Sequence, residues 1–208
     1  MPQINRRNFL KLFTAGFVFK MLDAQKLHPQ STSQFESAVL GLRFSVPAVW
    51  HSMDGITALK VLDDQILTRE DFDRLPATPL MVYTRYEEPY PQMNPSVGLF
   101  VDKWHGWMGD SAADFSAAFL THYASLLKAP RIEVPSHALT LGNHVWQQAT
   151  LCFDFVGASG FEHRIRMRSY LTFLSGHLVM LNLTDSENGN EKASREFSVV
   201  ESSIATFR

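Results

Sequence analysis

Three segments in the second half of the chain constrain the fold more than anything else in it. Residues 145–155, 163–174 and 178–184 are rich in β-branched and aromatic residues and are separated by turn sequences. Gly157-Ala158-Ser159-Gly160 turns the first into the second, and Ser175-Gly176 turns the second into the third. Consecutive strands joined by tight turns pair antiparallel, so the region reads as a β-meander. In the third segment Val179, Leu181 and Leu183 share one face while Met180 occupies the other. A strand that is apolar on both faces needs cover on both.

The cover comes from two helical patterns. Over residues 111–127, Ser111 with Asp114 three positions on makes a capping box. Ala112, Phe115, Phe119, His122 and Leu126 then fall on one face, and Pro130 ends the pattern. A second helix is expected over 191–206, with Ala193, Phe197, Val200, Ile204 and Phe207 as its buried stripe. Further strands are expected at 42–46, where alternation stops at Pro47 with Trp50 just beyond, and at 56–62, 80–86 and 97–101. A helical turn opens at 68–71, and Pro89 and Pro91 mark 87–91 as a loop. Helices layered on an antiparallel sheet define an α+β class, an α/β/α sandwich.

The first residues are a separate object. Arg6-Arg7-Asn8-Phe9-Leu10-Lys11 leads into a short apolar stretch that Lys20 ends. A charged region before a short apolar one is the layout of an export signal. Arg6, Arg7, Phe9, Leu10 and Lys11 resemble the twin-arginine (Tat) signal, with Asn5 where Ser or Thr is usual. The resemblance implies recognition by the Tat export machinery, transport of folded cargo, and a periplasmic location or one on the outer face of the inner membrane. Such signals are addresses rather than anchors. Residues 1–24 are therefore read as the signal, 25–40 as a polar linker and 41–208 as the domain.

Charge sharpens this division. The 208 residues carry 19 basic and 21 acidic side chains, a net of −2. Setting aside Arg6, Arg7, Lys11, Lys20 and Asp23 leaves 15 basic and 20 acidic, a net of −5. A mildly acidic domain is not expected to bind nucleic acid. One cysteine excludes an intramolecular disulfide framework. Nowhere does an apolar run approach the ~18 residues of a spanning helix.

The order of elements resembles the PsbP-like superfamily, which includes bacterial DcrB-like proteins. Four pieces carry the resemblance: Gly41-Leu42-Arg43-Phe44-Ser45-Val46-Pro47 with Trp50; the helix at 111–127; Arg168-Ser169-Tyr170 with Gly176-His177-Leu178-Val179-Met180-Leu181; and Phe197-Ser198-Val199-Val200-Glu201-Ser202-Ser203-Ile204. They span 41–207. The resemblance implies an α/β/α sandwich whose members mostly stabilise or assemble larger complexes. It brings no shared catalytic motif and no cofactor.

Few residues propose chemistry. The eight histidines form neither a His-x-x-x-His pair nor a His-Glu-x-x-His box, so no metal is expected. Cys152 sits mid-strand and reads as a small buried hydrophobe. Glu87-Glu88 and Asp63-Asp64 are adjacent, and adjacent strand residues face opposite ways.

Two features stand higher. Arg164, Arg166 and Arg168 alternate on one strand and share a face, with Asp154 on the preceding strand as a neutraliser. They read either as a site for an anion or acidic partner or as a solvated strand face. Trp104, His105 and Trp107 precede the capped helix and read either as a partner-binding aromatic loop or as rings folded onto the core.

The functional expectation is an exported, non-catalytic binding or assembly factor for an envelope protein complex. The alternatives are a small hydrolase whose site joins His105, His144 or His163 to a carboxylate, and a carrier for an anionic ligand on the arginine face.

Overall fold

The computed structural model describes residues 33–52, 79–87, 90, 92–103, 111–124, 127–156, 162–189 and 191–207. The signal residues Arg6, Arg7, Phe9, Leu10 and Lys11 lie outside the described residues. So do the expected strand at 56–62, the helical turn at 68–71, the turn at 157–160 and the loop residues Trp104, His105 and Trp107.

The described residues build a seven-stranded antiparallel sheet with cover on both faces. In chain order its strands are β3 (His51–Ser52), β4 (Pro79–Thr84), β5 (Ser96–Lys103), β6 (Lys128–Leu141), β7 (His144–Val156), β8 (Glu162–Leu174) and β9 (His177–Ser186). The spatial order is β3-β4-β5-β9-β8-β7-β6, so the meander runs from β6 to β9 and β9 docks against β5. Gly142 and Asn143 between β6 and β7, and Ser175 and Gly176 between β8 and β9, all have positive φ. Two consecutive residues of that kind match the right-handed twist of the strands they join.

A small sheet of order β1-β2-β10 lies apart, from β1 (Ser33–Ser37), β2 (Leu42–Val46) and β10 (Ala205–Thr206). Among the described residues the helices are α1 (Ala112–Ala124) and α2 (Glu191–Ser203). The Ser111 hydroxyl accepts from the Asp114 amide at 3.2 Å, the N-cap bond of a capping box, and donates to the Asp114 carboxylate at 2.7 Å.

Alternation on β8 sorts side chains into two cores. Ile165, Met167 and Leu171 meet Phe115, Phe119 and Leu120 of α1. Tyr170 and Leu174, on the opposite face, join Phe44 of β2 and Ala193, Phe197 and Val200 of α2. The result is α1, then the large sheet, then α2 beside the small sheet. Trp50 is a hinge pin in the second core: its ring centroid lies 5.6 Å from that of Phe197, and its Nε1 donates to Glu196 at 3.0 Å. Burying Phe197 contributes about 1.5–3 kcal/mol.

Three elements depart from expectation. First, β1 lies inside the stretch read as a linker and pairs along its whole length with β2, from Ser33 opposite Val46 to Ser37 opposite Leu42. Second, Pro130 does not end the first helix, which is described only as far as Ala124 and does not include Leu127. The proline lies within β6, an exposed edge strand that shifts register three times, between Lys128 and Arg131, Ile132 and Val134, and Val134 and His137. Prolines are tolerated at such irregularities because a ladder donor is already missing there. Third, α2 stops at Ser203, and Ala205 and Thr206 pair with β2 instead. That last strand is a strap: the Phe207 amide donates to Gly41 O at 2.8 Å and the Thr206 amide to Gly142 O at 3.2 Å. It thereby links the small sheet to the β6–β7 hairpin.

Candidate functional site

The alternation of β8 places Arg164, Arg166 and Arg168 on the face that carries α2. Register sets Asp154, Cys152 and Thr150 of β7 beside them, and Asp185 and Leu183 of β9 beside Arg166 and Arg168. The helix covers only part of this face, so the sheet ends there in a polar surface.

Carboxylates meet the whole row. Arg164 donates from Nε to Glu187 at 2.8 Å and from Nη1 to Asp154 at 2.9 Å and to the Ala129 carbonyl at 2.7 Å. Ala129 has φ of 46°, so a rarely used backbone conformation turns its carbonyl toward the guanidinium. Arg166 grips Glu133 with Nε at 2.7 Å and Nη2 at 2.9 Å, a forked pair. Arg168 donates from Nη1 to Glu201 at 2.8 Å, and its guanidinium sits 5.2 Å above the Phe197 ring. The Tyr170 hydroxyl donates to the same Glu201 oxygen at 2.7 Å. Asp154 is the neutraliser expected from the sequence; Glu133, Glu187 and Glu201 are not.

The pairing moves titrations away from neutral pH. The Arg166 guanidinium holds Glu133 below the usual carboxylate range. Glu187 is held low by Arg164 first and Arg131 second. Cys152 is a free thiol with no exposed surface, and its Sγ donates to Glu133 at 3.6 Å. Burial pushes that thiol up, and the negative charge of Glu133 adds to the effect. Burial also raises Tyr170, helped by its bond to Glu201.

Between this surface and the first turns of α2 lies a cleft of about 440 Å³. Arg166, Arg168, Glu133 and Asp185 line it from the sheet, and Ser194 and Ser198 from the helix. Arg164 does not. A depression of about 370 Å³ shares Gly189 and Ser194 with the cleft and continues it along the helix start.

Among the described residues the histidines do not converge, and His105 lies outside them. His163 pairs opposite Phe155 near one end of β7, whereas His144 is the first residue of that strand. Eleven residues of extended chain separate those levels by about 36 Å. His137 sits opposite Gln148, four residues along the strand from His144. Among the described residues no group of His, Cys, Asp and Glu is placed to hold a metal ion.

The architecture is the α+β PsbP-like fold. Two solved structures carry the comparison: cyanobacterial PsbP (CyanoP) from Synechocystis sp. PCC 6803, with a TM-score of 0.51 and 13% identity over 90% of this chain and 99% of that one; and LpqN of Mycobacterium tuberculosis, a protein involved in cell envelope biogenesis, with a TM-score of 0.51 and 13% identity over 87% and 88%. At these identities the likeness concerns the fold alone. No family model matches the sequence, and no curated protein matches it.

Proposed function

We propose that this chain is an exported, non-catalytic binding module that assembles with another protein of the cell envelope. The observation that carries the reading is the charge pairing at the cleft. A carboxylate that acts as a base near neutral pH has its pKa raised, and a nucleophilic thiol has its pKa lowered. Glu133 and Cys152 are moved in the opposite directions. The lining is suited to holding polar groups in place rather than to moving protons. Two further points support the envelope: the resemblance of Arg6, Arg7, Phe9, Leu10 and Lys11 to a twin-arginine address, and the shared fold with LpqN, involved in cell envelope biogenesis.

The test is a photo-crosslinking residue at exposed Ser198, on the helix wall of the cleft, with exposed Ala118 on α1 as the control face. The expected result is one discrete envelope adduct from position 198 and none from 118. Equal adducts at both positions, or substrate turnover by the purified chain, would refute the reading. Export has its own check. Changing Arg6 and Arg7 together to lysine is expected to retain the protein in the cytoplasm, and undiminished export would refute the address.

A further inference from the structure

The strand β6 is two different objects joined end to end. From His137 to Leu141 it pairs with β7 residue for residue, His137 opposite Gln148 through Leu141 opposite His144. Leu139 and Leu141 pack against the core beneath α2, and the Ser136 hydroxyl lies 2.7 Å from that of Ser116 on α1. All three register shifts come before His137. Pro130 and Pro135 bring no amide to the ladder. None of residues 128–134 is buried, and Ile132 is 45% exposed. On the other side of this stretch Leu127 packs against the core beneath α1.

Charge holds the irregular half down. Lys128 pairs with Glu162, Arg131 with Glu187, and Glu133 with Arg166 through bonds of 2.7 and 2.9 Å. The Ala129 carbonyl accepts from Arg164 at 2.7 Å. Since β7 lies between β6 and β8, these contacts reach across β7 to β8 or to the residue that follows β9. Cys152 of β7 stands opposite Arg131, with its Sγ 3.6 Å from Glu133. It is fully buried on this side although the strand that roofs it is exposed. Exposed ion pairs are weak singly and weaker still in salt. A short segment that buries no side chain and is fixed at its two ends opens far more readily than a whole domain.

We propose that residues 128–134 form an ion-tethered strap that lifts as a unit between Leu127 and Ser136, uncovering Cys152 and Arg166. Glu133 and Arg166 also line the cleft, so lifting the strap removes part of its wall. The cleft then has two forms, the closed one described above and an open one whose population rises with ionic strength. The device is independent of what the module binds.

Cys152 is the built-in reporter. The purified full chain is alkylated with iodoacetamide near pH 8, and each rate is divided by that of the urea-unfolded chain at the same salt. Raising NaCl from about 0.05 M to about 1 M, where the screening length is about 3 Å, is expected to speed native labelling at least about threefold. Below the unfolding transition the logarithm of the rate is expected to rise with urea at less than about half the slope of global unfolding, because lifting the strap exposes little surface. Arg131→Gln combined with Glu162→Gln cuts two tethers without touching the thiol's own carboxylate. It is expected to speed labelling at least about threefold. Glu201→Gln breaks the Arg168 pair, which does not hold the strap, and is expected to change the rate less than about twofold. A urea slope equal to that of global unfolding, a rate indifferent to salt, or equal effects of the double variant and Glu201→Gln would overturn the proposal. The salt and urea series use the parent chain, so they decide the matter even if a variant fails to fold.

Discussion

Replacing Gly142 by alanine tests whether the C-terminal strap is seated as described. Gly142 has φ of 54°, and a Cβ built there would lie 2.5 Å from the Ile204 carbonyl oxygen and 2.6 Å from Ala205 Cα. Both are backbone atoms, so they cannot move aside as a side chain would. Two penalties therefore add. A left-handed conformation disfavours alanine by about 1 kcal/mol, and displacing packed backbone costs about 1–3 kcal/mol more. Gly189 separates them, since its φ is 68° but a Cβ there meets nothing within 4 Å. Gly189→Ala should thus lose only the conformational part, about 1 kcal/mol. For a chain of 208 residues each kcal/mol shifts Tm by roughly 2–4 °C. Thermal melts followed by circular dichroism should show a drop of about 2–4 °C for Gly189→Ala and about 4–16 °C for Gly142→Ala. Equal drops in the two variants would refute the close packing of strap and hairpin.

Other outcomes follow from the same geometry. Phe197→Ala, which removes the ring shared by Trp50, Arg168 and the α2 core, should cost about 3–5 kcal/mol in urea unfolding. Glu196→Ala should cost about 3 kcal/mol, because it strands Arg85, whose Nε lies 2.6 Å away in a pair only 10% and 14% exposed, and also the Trp50 indole. Glu133 and Glu187 have depressed folded-state pKa values, so their contribution is present above the ordinary carboxylate value of 4.5 and is lost as pH falls through the lower folded values. Urea midpoints measured below pH 4.5 should therefore fall less steeply with acid in Glu133→Gln than in the parent. Cys152 should resist alkylation at pH 8 in the folded protein and react rapidly in urea, and equal rates would contradict its burial.

What could be read from the chain follows how local each signal was. The β7, β8 and β9 segments and the α2 stripe were legible because their apolar pattern and turn residues lie within a few positions of one another. The β1 segment was not, since Phe35 is the one buried apolar side chain in Ser33-Gln34-Phe35-Glu36-Ser37. An exposed edge interrupted by Pro130 and Pro135 has no alternation to detect, which hid β6. Two residues cannot announce a strand, and β10 exists only through its tertiary partners. The arginine face was legible from spacing two apart, and Asp154 from the neighbouring strand. Glu133 and Glu201 each lie 33 positions from the arginine they meet, and Glu187 lies 23 positions from Arg164. Nothing in the local pattern tells such carboxylates from ordinary surface acids.

The outer side of β6 has a consequence for how this molecule meets others. An open strand of 14 residues is normally an invitation to a foreign strand, which needs an unbroken row of amides in constant register. Here two positions lack the amide and the repeat is broken three times, so a visiting chain finds no continuous template. Growth of the sheet across copies is blocked at that border without any covering element among the described residues. Recognition is left to surfaces where side chains, rather than backbone, set the terms.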